Sequence, residues 1–124
     1  MGWLLVVVVI YLSLTPGRLP LDALTDDEIM HRLTYGIGHV LAYGTLMLWF
    51  LQLYPVSQRP IIALCLVALG GLLEILQAFI PERDADYLDV LANGTGIVLG
   101  WVLGRTRLAR TLGTLENALV RLIN

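Results

Sequence analysis

The sequence predicts an all-α integral membrane protein: a four-helix bundle with a C-terminal amphipathic helix. Its 124 residues are 57% hydrophobic and 15% charged, and its mean hydropathy is +0.77. That amount of apolar surface exceeds what one small water-soluble core could bury. Four apolar runs, at about 2–14, 33–54, 60–80 and 87–104, are separated by short polar linkers. We therefore expect a transmembrane domain over residues 1–105 and a cytoplasmic tail over residues 106–124.

The first run, residues 2–14, is predicted to be a retained anchor rather than a cleaved signal peptide. It has no basic residue before the apolar stretch and no A-x-A-like cleavage site, and three more apolar runs follow it. Its 13 residues make only about 20 Å of helix, whereas a bilayer core is about 30 Å thick. We expect either that the bilayer thins at this helix or that the chain starts upstream of Met1.

Local residue chemistry predicts where the other three helices begin and end. Thr25 and Glu28 form a capping-box pattern that should start the second helix before it enters the membrane. The segment PVSQRP, residues 55–60, is predicted to be a tight turn between helices two and three. Pro81 should end the third helix, and the acidic connector PERDAD, residues 81–86, suits the N-terminus of the fourth.

The C-terminal tail has a helical pattern of leucines. One face carries leucines at spacings of four, three, four and three, and the opposite face carries charged residues. The pattern fits a helix lying on the membrane surface, and it fits equally a short coiled-coil contact that would make the protein a homo-oligomer. The leucines are Leu108, Leu112, Leu115, Leu119 and Leu122, and the charged residues are Arg107, Arg110, Glu116 and Arg121.

Charge and cysteine content argue against several classes of protein. The eight basic residues, all arginine, are scattered and the net charge is −2, so nucleic acid is not an expected partner. The single cysteine, Cys65, lies in an apolar run and has no partner for a disulfide or a cysteine zinc site. No H-E-x-x-H or paired-histidine spacing occurs, so we expect neither a metal nor a cofactor.

The arginines also predict the orientation of the chain. With four spans, both termini and the 54–60 turn lie on one side of the membrane. That side has five arginines within short flanks and the other side has three, so the positive-inside rule places both termini in the cytoplasm. The five are Arg59, Arg105, Arg107, Arg110 and Arg121, and the three are Arg18, Arg32 and Arg83.

Polar residues of three predicted helices fall at one depth, in the outer half of the bilayer. Each pair is spaced so that both side chains lie on one helix face. A charged group at the helix centre costs about 2.5–3.5 kcal/mol on insertion scales, so we expect these side chains to face the bundle interior. They are His39 and Tyr43 on helix two, Glu74 and Gln77 on helix three, and Asp89 and Asn93 on helix four.

Glycines continue the same faces. Gly96, Gly100 and Gly104 follow Asn93 along the fourth helix, and Gly70 lies one turn before Glu74. Small residues let membrane helices approach closely, so we expect these four glycines to be helix-packing positions.

At these residues the sequence resembles the VanZ-like family, small multi-span bacterial membrane proteins named for one associated with teicoplanin resistance. Two departures stand out: Tyr35 and Gly36 occupy positions where the family usually has Asp-Lys, and Asp86 stands where it tends to have Ser. The matching segments are Ser13-Leu14-Thr15-Pro16, His39-x-x-x-Tyr43-x-x-Leu46, Gly71-x-x-Glu74-x-x-Gln77, Pro81-x-Arg83 and Asp89-x-x-x-Asn93-x-x-Gly96. The resemblance implies a role in the bacterial cell envelope, in the inner membrane, and implies no settled reaction.

Each polar residue has a functional and a structural interpretation. Glu74 could be a general acid or base, or a buried carboxyl bonded to Gln77, His39 or Tyr43. His39 could transfer a proton or could simply be satisfied by a carboxyl. Asp89 could bind a ligand or complement the helix dipole. Arg83, at the mouth of the cluster, could hold a phosphate or carboxylate or pair with acidic neighbours.

Three functions remain open from the sequence. The leading one is binding of an amphiphilic envelope molecule, such as a lipid-linked phosphate precursor or a lipoglycopeptide, in an outer-leaflet cavity. Arg83 would contact the anionic head, while Gln77, Tyr43, Asp89 and Asn93 would hold polar groups beside Glu74 and His39. The second is a membrane-embedded hydrolase or transferase with Glu74 as acid/base and His39 as its proton partner. The third is a scaffold within a larger complex.

Overall fold

The protein is described here by a computed structural model that covers residues 2–14, 28–81 and 86–106, together with positions 114, 118, 121 and 122. Over this part of the chain it is all-helical, as the sequence predicts. The helices are α1 (Gly2–Leu14), α2 (Glu28–Leu53), α3 (Arg59–Gln77) and α4 (Tyr87–Gly104), with a short 3-10 turn at Val56–Gln58 before α3.

Three helical segments are long and apolar enough to cross a membrane: Arg32–Leu53, Val56–Gln77 and Tyr87–Gly104. The first helix is apolar as well and, over its described residues Gly2–Leu14, shorter than these three. Most large apolar side chains of the described residues point outward, with Phe79 80% and Leu64 68% exposed. Cys65 is exposed on this apolar surface as well. An apolar exterior of this extent is what lipid covers in a membrane protein.

The predicted span at 33–54 corresponds to α2, which the structure describes over Glu28–Leu53; the helix start predicted at the Thr25 capping box lies outside the described residues. One predicted helix boundary needs correction. The third helix spans Arg59–Gln77 rather than 60–80. After Gln77 the backbone tightens, with the Phe79 and Ile80 amides donating to carbonyls three residues back, which brings the helix to an end ahead of Pro81. The ranges 2–14 and 87–104 agree with α1 and α4.

Contacts near the helix ends give the directions of the four helices. The Trp3 ring at the start of α1 lies edge-on to Phe50 near the end of α2, with centroids 6.2 Å apart. The Ser13 carbonyl at the end of α1 accepts a hydrogen bond from Gln77 at the end of α3. Helices α1 and α3 therefore finish where α2 and α4 start. We call this the Asp86 end of the bundle, and the opposite end the Trp101 end.

Helices α2 and α4 run parallel and are in contact along most of their length. At the Asp86 end, Arg32 pairs with Asp86 at 3.3 Å. Deeper in the bundle, a Cβ on Gly96 would collide with the Val40 carbonyl oxygen, and one on Gly100 would lie 2.6 Å from the Gly44 oxygen. The sequence does not show that these two helices form the closest pair, because they are not neighbours in the chain.

The apolar core lies toward the Trp101 end of the bundle, where α1 and α3 pack against α2 and α4. Tyr43, Leu46 and Met47 are each no more than 1% exposed, and residues from α1 and α3 pack against them. The core fixes the side chain of Tyr43 at the boundary between the apolar layer and the polar residues nearer the Asp86 end.

Several sequence predictions lie outside the described residues: the Thr25 cap, Arg83, and all but one leucine of the tail stripe. Of the tail, Thr114, Ala118, Arg121 and Leu122 are helical and exposed. The proposed amphipathic helix therefore stays a prediction.

Candidate functional site

His39 of α2 makes both of its polar contacts with α4. Its Nδ1 lies 2.9 Å from the Asn93 side-chain oxygen, and its Nε2 lies 3.5 Å from Asp89 Oδ2. Because an amide oxygen only accepts, Nδ1 is the donor in the first contact. Nε2 then faces a carboxylate at ion-pair distance. One residue of α2 thus binds two residues of α4 that are a single helical turn apart.

Tyr43, one turn along α2 from His39, carries the cluster toward α3. Its hydroxyl would lie 3.3 Å from a Cβ placed on Gly70, and the Asn93 amide nitrogen would lie 2.9 Å from the same point. Gly70 therefore lies beside both polar groups, and only its missing side chain makes room for them.

Glu74 and Gln77 lie on the buried face of α3. Glu74 is 8% exposed and Gln77 is 3% exposed, although both are in a helix that otherwise presents apolar residues to its surroundings. An ionisable side chain buried inside a membrane bundle is costly, and such residues are usually paired or functional. The expectation that Glu74 faces the interior is met.

Gln77 binds the backbone of α1 rather than another side chain of the cluster. Its amide nitrogen donates to the Ser13 carbonyl oxygen at 2.8 Å. Ser13 is near the end of α1 as the structure describes it, Gly2–Leu14. The hydrogen bond therefore ties the end of α1 to the end of α3.

The first turn of α4 is capped by Asp86. Its side chain accepts a hydrogen bond from the Leu88 amide at 3.0 Å, and its other oxygen pairs with Arg32. Asp89 lies in the same turn but is directed at His39. Its place in the first turn of α4 is where a carboxylate complements the helix dipole, and the ligand-binding interpretation of Asp89 stays a prediction.

The structure thus brings together most of the residues that the sequence singled out. Tyr43 and Asn93 meet at Gly70, and His39 contacts both Asn93 and Asp89. Glu74 and Gln77 lie on the same buried face of α3 as Gly70. Arg83 lies outside the described residues, so its position at the mouth of the cluster stays a prediction. The hydrogen-bond and ion-pair partners of His39 are both on α4, so the expected proton partnership with Glu74 is not what the structure shows.

The predicted packing glycines all make close approaches. Gly70 faces Tyr43 and Asn93, Gly96 and Gly100 face the α2 backbone, and a Cβ on Gly104 would collide with Leu51. Sequence reasoning missed Gly44, which contacts both Gly96 and Gly100. The sequence contained a sign of this role. Gly44 lies four residues after Val40 and three before Met47, so it is on the same helix face as both.

Sequence reasoning also missed the Ser13 carbonyl as a site element, because a backbone acceptor leaves no residue-type signal. Within the described residues, no group of three or more His, Cys, Asp or Glu side chains is arranged to hold a metal ion.

The fold and the cluster define a class: an all-helical protein with three membrane-length helices and a buried polar cluster near one end. Comparison with models of protein families, with curated proteins and with solved structures finds no match to this chain. The classification therefore rests on the helices and the polar cluster.

Proposed function

We propose that the protein is a VanZ-like binding protein of the bacterial inner membrane, with both termini in the cytoplasm. Its polar cluster would receive the head of an amphiphilic envelope molecule, either a lipid-linked phosphate or a lipoglycopeptide of the teicoplanin type. The observation that best supports this proposal is that three helices direct buried polar side chains to one level near the Asp86 end.

The chemistry of the cluster supports a head rich in hydrogen-bond donors. Asp89 and Glu74 offer carboxylate oxygens, which accept hydrogen bonds from hydroxyl, amide or ammonium groups. Sugars and peptides carry many such donors. In this proposal Arg83 provides the contact to an anionic group, and the apolar exterior near the Asp86 end accommodates the acyl or prenyl chain.

Access to the cluster is through its His39 side. The side chains of His39 and Asp89 are 14% and 19% exposed, whereas Glu74 and Asn93 are more deeply buried. A head arriving at the Asp86 end would therefore meet the His39–Asp89 pair first and reach Glu74 behind it.

Binding is better supported than catalysis. A general base needs a nitrogen or oxygen within reach of the proton that it removes. Both ring nitrogens of His39 are directed at α4 side chains, whereas the hydrolase or transferase hypothesis directs His39 at Glu74. An enzyme would have to work with Glu74 as its acid/base and without that relay.

The test measures binding of two probes, a polyprenyl phosphate and teicoplanin, to the full chain in lipid nanodiscs. Glu74→Gln keeps the shape of the side chain and removes its charge, and we expect it to weaken binding about 10- to 100-fold, the loss of one hydrogen bond to a charged group. Arg83→Lys should weaken binding of the phosphate probe. Gln52→Ala is the control, because Gln52 is exposed near the Trp101 end and bonds only to its own helix.

Unchanged binding in both the Glu74 and Arg83 variants would overturn the proposal, as would the absence of binding to either probe in the wild type. The scaffold alternative is favoured by the contacts of His39 and Gln77, which join helices to one another. It predicts that Glu74→Gln chiefly lowers the unfolding temperature and that neither probe binds.

A further inference from the structure

The aromatic residues at the Trp101 end form a ring at one level of the bundle. All three tryptophans of the chain are there, each on a different helix: Trp3 on α1, Trp49 on α2 and Trp101 on α4. Tyr54 follows the end of α2, and its ring lies 6.1 Å from Phe50. We call Trp3, Trp49, Tyr54 and Trp101 the aromatic belt.

Two independent contacts fix the common level of the tryptophans. Trp3 packs on Phe50, the residue after Trp49. On α4, Gly100 approaches Met47, so the next residue, Trp101, lies about one position from Trp49 along the parallel helix. The three indoles therefore lie within roughly 5 Å of one another along the bundle axis, given a rise of about 1.5 Å per residue.

Two arginines lie beside this belt. The Arg105 guanidinium carbon lies 5.7 Å from the centroid of the Trp101 ring, a cation–π contact at the end of α4. Arg59 is the first residue of α3. The belt thus combines amphipathic rings with positive charge, which is the composition of a membrane–water interface on the anionic side.

Trp49 Nε1 and Arg59 Nε, two donors in this region, are buried and have no hydrogen-bond partner among the described residues. A buried donor without an acceptor is unfavourable, so a small side-chain rotation toward an external acceptor would gain a bond for either group. At a bilayer surface the external acceptors are water and lipid phosphate oxygens, and of these only phosphate carries the negative charge that an arginine pairs with.

We infer that the Trp101 end of the bundle docks into the headgroup layer of an anionic leaflet, with Arg59 and Arg105 contacting lipid phosphates. The partner is the anionic phospholipid headgroup, and charge complementarity selects it over zwitterionic lipid. Counted along α2 and α4, the belt is about 12–15 Å from His39 and Asn93, so these two residues lie about halfway across a hydrocarbon core about 30 Å thick. The inference does not depend on what the cluster binds.

Tryptophan quenching in vesicles tests both the level of the belt and its lipid preference. Three single-tryptophan variants of the full chain, with the other two tryptophans changed to phenylalanine, are reconstituted with phosphatidylcholine brominated at different chain depths. We expect all three to be quenched most by bromine nearest the headgroup. Strongest quenching by bromine at the bilayer centre for any one of them would overturn the common level.

Lipid preference is measured by comparing brominated phosphatidylglycerol with brominated phosphatidylcholine at equal mole fraction. In the wild type, phosphatidylglycerol should quench more strongly, and Arg59→Gln combined with Arg105→Gln should lower the relative binding constant about fivefold for each arginine lost. The control is Arg32→Gln, which removes an arginine from the Asp86 end and should leave the preference unchanged. Equal quenching in the wild type, an undiminished preference in the double variant, or an equal loss in the control would overturn the inference.

Discussion

The packing of α2 against α4 makes Gly96→Ala the most informative single substitution. A Cβ at this position would collide with the Val40 carbonyl oxygen and lie 3.0 Å from Val40 Cα and 3.1 Å from Gly44 N. All three neighbours are backbone atoms, so no side chain can rotate away. The two helices must separate to restore ordinary contacts of 3.4–4 Å.

The expected cost follows from that separation. Overpacking a tight site costs about 1–3 kcal/mol. The 2.9 Å contact between His39 and Asn93 lies one turn away, and moving the helices apart by roughly 0.7 Å would take it beyond hydrogen-bonding distance, at a further cost of about 1 kcal/mol. Alanine recovers up to about 1 kcal/mol through helix propensity. We therefore expect Gly96→Ala to lower the free energy of unfolding by about 1–3 kcal/mol.

Gly94→Ala is the matched control. Gly94 is on the same helix, two residues away, and a Cβ there would meet nothing within 4 Å. Its substitution should be neutral or stabilising by up to about 1 kcal/mol. Gly44→Ala, whose Cβ would lie 3.3 Å from the Gly96 oxygen, should fall between the two. Denaturant unfolding in detergent micelles measures the series, and equal stabilities for the Gly96 and Gly94 variants would refute the close parallel packing.

Two further substitutions test the polar contacts at the Asp86 end. Gln77→Leu removes the hydrogen bond that ties α3 to the Ser13 carbonyl of α1, so it should cost about 0.5–1.5 kcal/mol and speed hydrogen exchange of α1, whereas Gln52→Leu should change neither; equal effects of the two changes would contradict this linking role. Asp86→Ala removes both a helix cap and an ion pair and should cost about 1–2 kcal/mol, while Arg32→Gln breaks the exposed ion pair, keeps the cap and should cost at most about 0.5 kcal/mol; a larger loss from Arg32→Gln than from Asp86→Ala would reverse the assignment.

The helices could be predicted from the sequence because the apolar runs agree with the positions of residues that start or end helices. The range of α4 was predicted as 87–104 from an apolar run that follows an acidic connector, and in the structure Asp86 of that connector caps the first turn. The end of α3 was placed three residues late because Pro81 marks where a helix can no longer continue, whereas the chain tightens before reaching it.

From the sequence, the candidate site could be predicted only as a set of polar residues at a common level along the bundle. Alternating helix directions place His39, Glu74 and Asn93 near the same end, but they do not say which helices touch. That pairing depends on Gly44, Gly96 and Gly100, whose backbone fit across α2 and α4 is a tertiary property. For that reason the sequence associated His39 with Glu74, while the structure joins His39 to α4.

Solid-state NMR of the full chain in lipid bilayers tests the central claim most directly, since it reports contacts between the His39 ring and side chains of α4. A His31→Gln background leaves His39 as the single histidine. If the polar side chains converge as described, the ring nitrogens of His39 should show through-space correlations to the side-chain carbons of both Asn93 and Asp89. A His39 ring that correlates with lipid chains and with neither residue would contradict it.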